Sequence, residues 1–221
     1  MGTCALVGAV DFNVGHFRSQ RPDYVIAVDR GYAQLKAAGI EPDAVVGDFD
    51  SLGFVPDASN VAVFPAEKDE SDMELACRKG LAHADELLLY GCLSARLDHT
   101  IANVQLMSGL AQAGVRVFGI GDAFALAAIA GGAAPGELRF AEIPPEELIG
   151  PYANFVSVFA HGGTARDVCE KGLKYAFEHE DVPDTVSRGL SNEFAASPAS
   201  ITVGAGTLLI TFPLEAWGAL L

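Results

Sequence analysis

Apolar runs and helical patterns alternate through the first half of the chain. The runs are CALVGAV (4–10), YVIAVD (24–29), DAVVGD (43–48), VAVF (61–64), ELLLYG (86–91) and VRVFGI (115–120). Short runs of this kind, bounded by turn residues, predict strands. Between them GYAQLKAAG (31–39), SDMELACRKGLAHA (71–84) and LDHTIANVQLMSGLAQAG (97–114) read as helices. In the last, Leu97, Ile101, Val104 and Met107 recur with period 3.6, and Leu106 and Leu110 widen the stripe. Gly39 and Gly114 stand where such helices end. Strand–helix alternation predicts βα units around a parallel sheet.

The pattern changes near residue 123. FALAAIAG, ELRFAEI, FVSVFAHG, ARDVCEKG, LKYAFEHE and SITVGAGTLLITF follow one another, separated by Gly, Pro and acidic turns. No long amphipathic helix interrupts them. The expectation is an α/β fold in which an N-terminal parallel-sheet α/β domain (1–122) is followed by a smaller antiparallel β-sandwich (123–221).

Composition narrows the partners. The chain has 221 residues, half of them hydrophobic, enough for one large core or two small ones. Its net charge is −15, from 14 Lys and Arg against 29 Asp and Glu. That surface argues against nucleic acid and anionic membrane, and a polyanionic substrate would need metal ions beside it. No apolar run reaches the length of a membrane span, and the start MGTCALVGAVDFN lacks the pattern of a signal peptide. Cys4, Cys77, Cys92 and Cys169 form no C-x-x-C pair, so reduced thiols in the cytoplasm are expected.

Four polar motifs fall where βα units turn, the edge at which parallel sheets bind ligands. They are AVDRGYAQL with Asp29, GDFDS with Asp48 and Asp50, EKDESDMELA with Lys68, Asp69 and Asp72, and SARLDHTIAN with Arg96, Asp98, His99 and Asn103. At the rim of the preceding extended strand, Asp48 and Asp50 face the same way and repel, so a positive group, a basic side chain or a divalent cation, belongs between them. Each motif also suits a local role: Asp29 in a turn, Asp69 or Ser71 as a helix cap, Asp72 against a helix dipole, Asp98 and His99 as a cap. Gathered at one sheet edge, carboxylates with Lys and Arg suit a hard ion such as Mg²⁺ and a phosphate-bearing ligand. A Walker G-x-x-x-x-G-K-[ST] is absent, as is a complete G-x-G-x-x-G after the first strand.

GDFDS, KDESDMELA and RLDHTIAN, with GLKY (172–175) and GLSNEF (189–194), resemble thiamine pyrophosphokinase in the family's order. The resemblance implies an α/β catalytic domain followed by a β-sandwich, a homodimer with thiamine bound at the dimer interface, and transfer of the pyrophosphoryl group of ATP to the thiamine hydroxyl with release of AMP. It assigns Mg²⁺ to Asp29, Asp48, Asp50 and Asp72. Arg30, Ser51, Lys68, Asp69, Arg96, His99 and Asn103 would join Asp29 around the nucleotide, and Ser191 and Asn192 would contact thiamine. Asp48, Asp50, Asp72 and Asp98 would serve catalysis, with Asp72 or Asp98 open as acceptor of the hydroxyl proton. Two motifs depart from the family's A-D-G-G and G-G-R: here they read VDRG, with Arg30 in place of a glycine, and SAR (94–96). A transferase with another acceptor alcohol, or a non-catalytic thiamine or nucleotide sensor, remains open beside the leading reading.

Overall fold

The computed structural model describes residues 2–221 except Asp11, Ser51, Leu52, Asp57, Ser59, Ala66, Lys68, Ser94, Ala95 and Pro151. Two compact units divide the chain, one of residues 1–106 and 115–122, the other of 107–114 and 123–221.

The first unit is a parallel sheet with helices. Its strands are β1 (Thr3–Val7), β2 (Tyr24–Val28), β3 (Ala44–Gly47), β4 (Val61–Val63), β5 (Glu86–Tyr90) and β6 (Arg116–Ile120), in the spatial order β6-β5-β1-β2-β3-β4. All five pairings are parallel. In β1, β2 and β5 every residue after the first is buried, which is why these stretches read as unbroken apolar runs. Helices α1 (Val14–Gln20), α2 (Gly31–Ala37), α3 (Asp72–Gly80) and the first turns of α4 (Leu97–Gln112) connect them. α1 is absent from the sequence reading because it is a seven-residue helix with a single buried side chain, Phe17.

The apolar stripe read along α4 is only partly buried. Met107 is fully enclosed, whereas Leu97 and Ile101 are 69% and 52% exposed, so the first two turns present apolar side chains outward.

The second unit is antiparallel: β7 (Phe124–Gly131), β8 (Gly136–Phe140), β9 (Phe155–Lys171), β10 (Phe177–Val182), β11 (Gly189–Glu193) and β12 (Ala199–Pro213). FVSVFAHG and ARDVCEKG, read as two short strands, are one 17-residue strand, β9. Gly162 and Gly163, at φ +72° and +138°, let it turn without ending. β12 shifts register at Ala205–Thr207, next to Gly206 at φ +90°. Each long strand therefore changes neighbours along its length. β12 pairs with β8 through Ala199–Val203 and with β7 through Gly206–Pro213. β9 pairs with β11 through Phe155–Val158 and with β10 through Ala165–Glu170. The GLSNEF motif supplies β11. The C-terminal tail packs on this unit, with Trp217 stacked on Phe212 and the Leu221 amide donating to the Arg139 carbonyl at 3.1 Å. No helix among the described residues is long and apolar enough to cross a membrane.

Candidate active site at the carboxyl edge of the parallel sheet

The strand order reverses direction around β1 and β5: β1 leads to β2, β3 and β4 on one side, while β5 and β6 lie on the other. Such a switch point opens a crevice at the carboxyl ends of the strands. Here the backbones run close together. The Gly8 amide donates to the Tyr90 carbonyl at 2.8 Å, and a Cβ on Gly8 would sit 2.7 Å from the Gly91 carbonyl oxygen. Gly31 is tighter still, since a Cβ there would stand 1.6 Å from the Val7 carbonyl oxygen. α2 begins directly against the end of β1, and only glycine permits it.

Asp29 follows β2 in a left-handed conformation, φ +47°, which Asp tolerates better than most residues. Its amide donates to Val46 of β3 at 2.8 Å, and its Cα lies 3.1 Å from where a Gly47 Cβ would stand. The ends of β2 and β3 are thereby pinned together, with Asp29 adjacent to the residue preceding Asp48. Arg30, by contrast, has φ −59° and is exposed, so the backbone makes no demand for a glycine at that position.

The GDFDS turn corrects one premise of the sequence reading. β3 ends at Gly47, and Phe49 takes φ +62° with its ring 3% exposed. Asp48 and Asp50 therefore do not share one side of an extended strand. The buried Phe49 anchors a turn in which the Asp48 carboxylate accepts the Asp50 amide at 3.1 Å. Asp48 is half-buried and Asp50 exposed.

Ser71, not Asp69, caps α3, its hydroxyl accepting the Glu74 amide at 3.2 Å. Ser71 and Glu74 have the spacing of a capping box, and Asp72 stands at the first helical position, half-buried, where the helix dipole favours a carboxylate. Asp69 is exposed. At the start of α4, Arg96 grips Asp98 with a two-pronged fork, Nε to Oδ1 at 2.9 Å and a terminal nitrogen to Oδ2 at 2.6 Å. The fork holds the Asp98 carboxyl well below the usual carboxylate range. His99 is exposed, and Asn103 is buried with its amide nitrogen donating to the Cys92 carbonyl at 2.8 Å, tying α4 to the chain after β5. Ser51, Lys68 and the Ser94–Ala95 stretch lie outside the described residues.

The first unit thus brings Asp29 and the Asp48–Asp50 turn onto adjacent strand ends, with Asp72, Arg96, Asp98 and His99 following strands of the same sheet. Their oxygen donors fit Mg²⁺, but not as one cage. Among the described residues the only three-residue ligand group with donor atoms within 4.8 Å of one another is Asp167–Cys169–His179, and it lies in the second unit. Mg²⁺ is commonly held by one or two carboxylates, with water and phosphate oxygens completing its shell, and this edge can offer that number.

Ser191 and Asn192 sit on β11. Ser191 is exposed at φ +57°, and its amide donates to the Ser157 hydroxyl at 2.9 Å. Asn192 is 3% exposed and its amide is committed inside the protein. It donates to Glu170 Oε2 at 2.8 Å and to the Tyr175 carbonyl at 2.6 Å, and it accepts from the amides of Tyr175 and Glu193. It clamps GLKY to GLSNEF, so its internal bonds would have to open before it met a ligand. Burial raises the Glu170 carboxyl to about 7. Sequence reasoning also missed an apolar cavity of about 530 Å³ in this unit, lined by Phe124, Tyr152, Phe155, Phe212, Ser157 and Glu215 among others. Its walls come from three separate segments (123–124, 149–157 and 211–215), and no local pattern marks them. The four thiols are free and buried, and burial pushes those of Cys4 and Cys92 up to about 12.

Comparison with known proteins places this architecture. Residues 18–118 match the family model described as thiamin pyrophosphokinase, catalytic domain. A thiamine pyrophosphokinase of Bacillus subtilis (strain 168) is 35% identical over 89 residues, a stretch covering 37% of this chain and 42% of that relative. The crystal structure of thiamine pyrophosphokinase from Bacillus subtilis superposes with a TM-score of 0.77 at 21% identity, covering 95% of this chain and 97% of that one. The thiamin pyrophosphokinase of Geobacillus thermodenitrificans gives 0.72 at 26% identity, covering 95% and 96%. The chain thus carries the fold of the solved thiamin pyrophosphokinases through 95% of its length, and residues 18–118 are similar to that family's catalytic domain.

Proposed function

We propose that the protein transfers the pyrophosphoryl group of ATP to the hydroxyl of thiamine, giving thiamine diphosphate and AMP. The observation that carries this reading is the set of acidic and basic motifs at the carboxyl ends of successive strands, inside the stretch matched by the catalytic-domain family. Mg²⁺, held by one or two of Asp29, Asp48, Asp50 and Asp72, would neutralise charge on the triphosphate. The chain itself positions. The Asp48–Asp50 turn, fixed by the buried Phe49, presents its carboxylates at the edge where phosphates would lie, and exposed Arg30 offers a guanidinium beside Asp29. Asp98 is a poor acceptor for the hydroxyl proton, because Arg96 keeps it a weak base. Its part is to aim Arg96, and Asp72 is the better candidate for proton acceptor.

For thiamine, an aromatic cation, the cavity of the second unit supplies the fitting chemistry. Phe124 and Tyr152 offer ring faces and Glu215 a carboxylate, while Ser157 links its wall to Ser191. The working form is a cytoplasmic homodimer. One observation favours a different acceptor alcohol: Asn192 is occupied internally, which leaves Ser191 as the exposed polar group of the two. Incubation with ATP, Mg²⁺ and thiamine, read by mass spectrometry, tests the proposal. Equal amounts of thiamine diphosphate and AMP, absent with EDTA, are expected. AMP formed only with another alcohol would move the assignment to that acceptor.

A further inference from the structure

The hairpin of β9 and β10 gathers three side chains that no part of the proposed reaction uses. Asp167, Cys169 and His179 bring a carboxylate oxygen, a thiol sulfur and an imidazole nitrogen within 4.8 Å of one another. His179 Nδ1 lies 2.6 Å from Asp167 Oδ1, and the His179 amide donates to Cys169 Sγ at 3.3 Å. Asp167 and His179 are exposed and Cys169 is buried at the floor between them.

Two opposed irregularities create the arrangement. From the Phe177–Glu170 pair to the Glu180–Val168 pair β10 has one residue more than β9, and from there to Val182–Ala165 β9 has one more than β10. His179 falls in the first interval and Asp167 in the second, both at φ +56°. Bulges of this kind re-aim side chains, and here they turn His179 and Asp167 toward the same sulfur. On neighbouring β12, Gly204 leaves room for Asp167: a Cβ there would stand 2.8 Å from the Asp167 Cβ. Asp181 accepts the Asp167 amide at 3.3 Å and an Arg166 nitrogen at 2.8 Å, bracing that bulge from behind.

We propose that Asp167, Cys169 and His179 form a site for Zn²⁺ or a like borderline transition-metal ion, distinct from the carboxylates of the first unit and independent of the kinase reading. One thiolate, one imidazole and one carboxylate make a donor set that prefers such an ion to Mg²⁺. Tetrahedral bonds of about 2.0–2.3 Å set the donor atoms about 3.3–3.7 Å apart, so His179 Nδ1 and Asp167 Oδ1 part from their 2.6 Å contact to admit the ion, while all three donors already lie within 4.8 Å of one another. The metal takes the lone pair of His179 Nδ1, and the imidazole stays neutral with its one proton on Nε2. The Cys169 thiol releases its proton to solvent, so the ion's two charges are matched by thiolate and carboxylate. Solvent completes a tetrahedron at the open fourth position.

Co²⁺ serves as a visible stand-in. Titrated into the full-length protein, it is expected to give one equivalent of a thiolate-to-metal charge-transfer band that Zn²⁺ abolishes. Cys169→Ser should remove the band and His179→Ala should weaken binding tenfold or more, with circular dichroism confirming the fold of each variant. Ions at the carboxylate edge produce no thiolate band, so kinase activity and this site are read separately. No band in the wild type, or an undiminished band in Cys169→Ser, would overturn the proposal.

Discussion

In the first unit the polar groups of interest follow the ends of strands: Asp29 after β2, Asp48 and Asp50 after β3, Arg96 and Asp98 after β5. In the second they sit within strands, placed by bulges and long-range pairing: Asp167 and Cys169 on β9, His179 on β10, Asn192 on β11. The difference is one of contact range. A parallel βα sheet sends every strand end to one edge, so order along the sequence suffices to group those residues. An antiparallel unit groups residues by register, and one bulge changes which side chains meet.

The largest effect should come from breaking the scaffold of the first unit. Gly31→Ala puts a methyl group on the Val7 carbonyl and should cost more than about 3 kcal/mol, seen as a large fall in Tm or as insoluble protein. Arg30→Gly is its counterpart: with φ −59° at that position, Tm should change little. Next comes chemistry without loss of fold. Asp50→Asn should lower kcat by roughly a hundredfold or more while leaving Tm unchanged or raised. Wild-type turnover in that variant would remove Asp50 from the site. Asp98→Asn should reduce kcat by less than about tenfold and leave the acid limb of the pH profile in place, because a true general base contributes on the order of a hundredfold or more.

The second unit is sharpened by Glu170. Its folded carboxyl sits at about 7, above the ordinary 4.5, so the folded state holds a proton that the unfolded chain gives up. That contribution favours folding at low pH and is lost as pH rises from 4.5 through 7. The full loss amounts to about 3 kcal/mol. Glu170→Gln keeps the shape and removes the titration. Thermal denaturation at pH 5 and pH 8 should show a smaller drop in Tm for the variant than for the wild type. Equal drops would mean that Glu170 stays ionised in the folded protein.

How much was legible follows the same division. Six apolar runs located β1 to β6, in β1, β2, β3 and β5 because burial on both faces leaves an unmistakable run, although β4 itself is half-buried to exposed, and three amphipathic stretches located α2, α3 and α4. The start of α4 misled, since an apolar stripe does not say whether a neighbour covers it, and Leu97 and Ile101 remain exposed. In GDFDS the residue types pointed to the turn, but its geometry did not follow from alternation, because Phe49 at φ +62° breaks the period of two. Glycines 162 and 163 read as a break between strands and prove to be a bend within β9. The Asn192 clamp, the aromatic cavity and the Asp167–Cys169–His179 group depend on residues about 10 to 90 positions apart meeting in space. No local pattern announces them.

Pyrophosphoryl transfer to thiamine, proposed for the carboxyl edge of the first unit, can be read phosphorus by phosphorus. The most direct measurement follows ATP labelled at the β-phosphorus through one turnover with Mg²⁺ and thiamine, in wild type and in Asp50→Asn. Label is expected in thiamine diphosphate with unlabelled AMP released in equal amount, and no more than about a hundredth as much of either from the variant in the same time. Label retained in ADP, or equal transfer by both proteins, would contradict it.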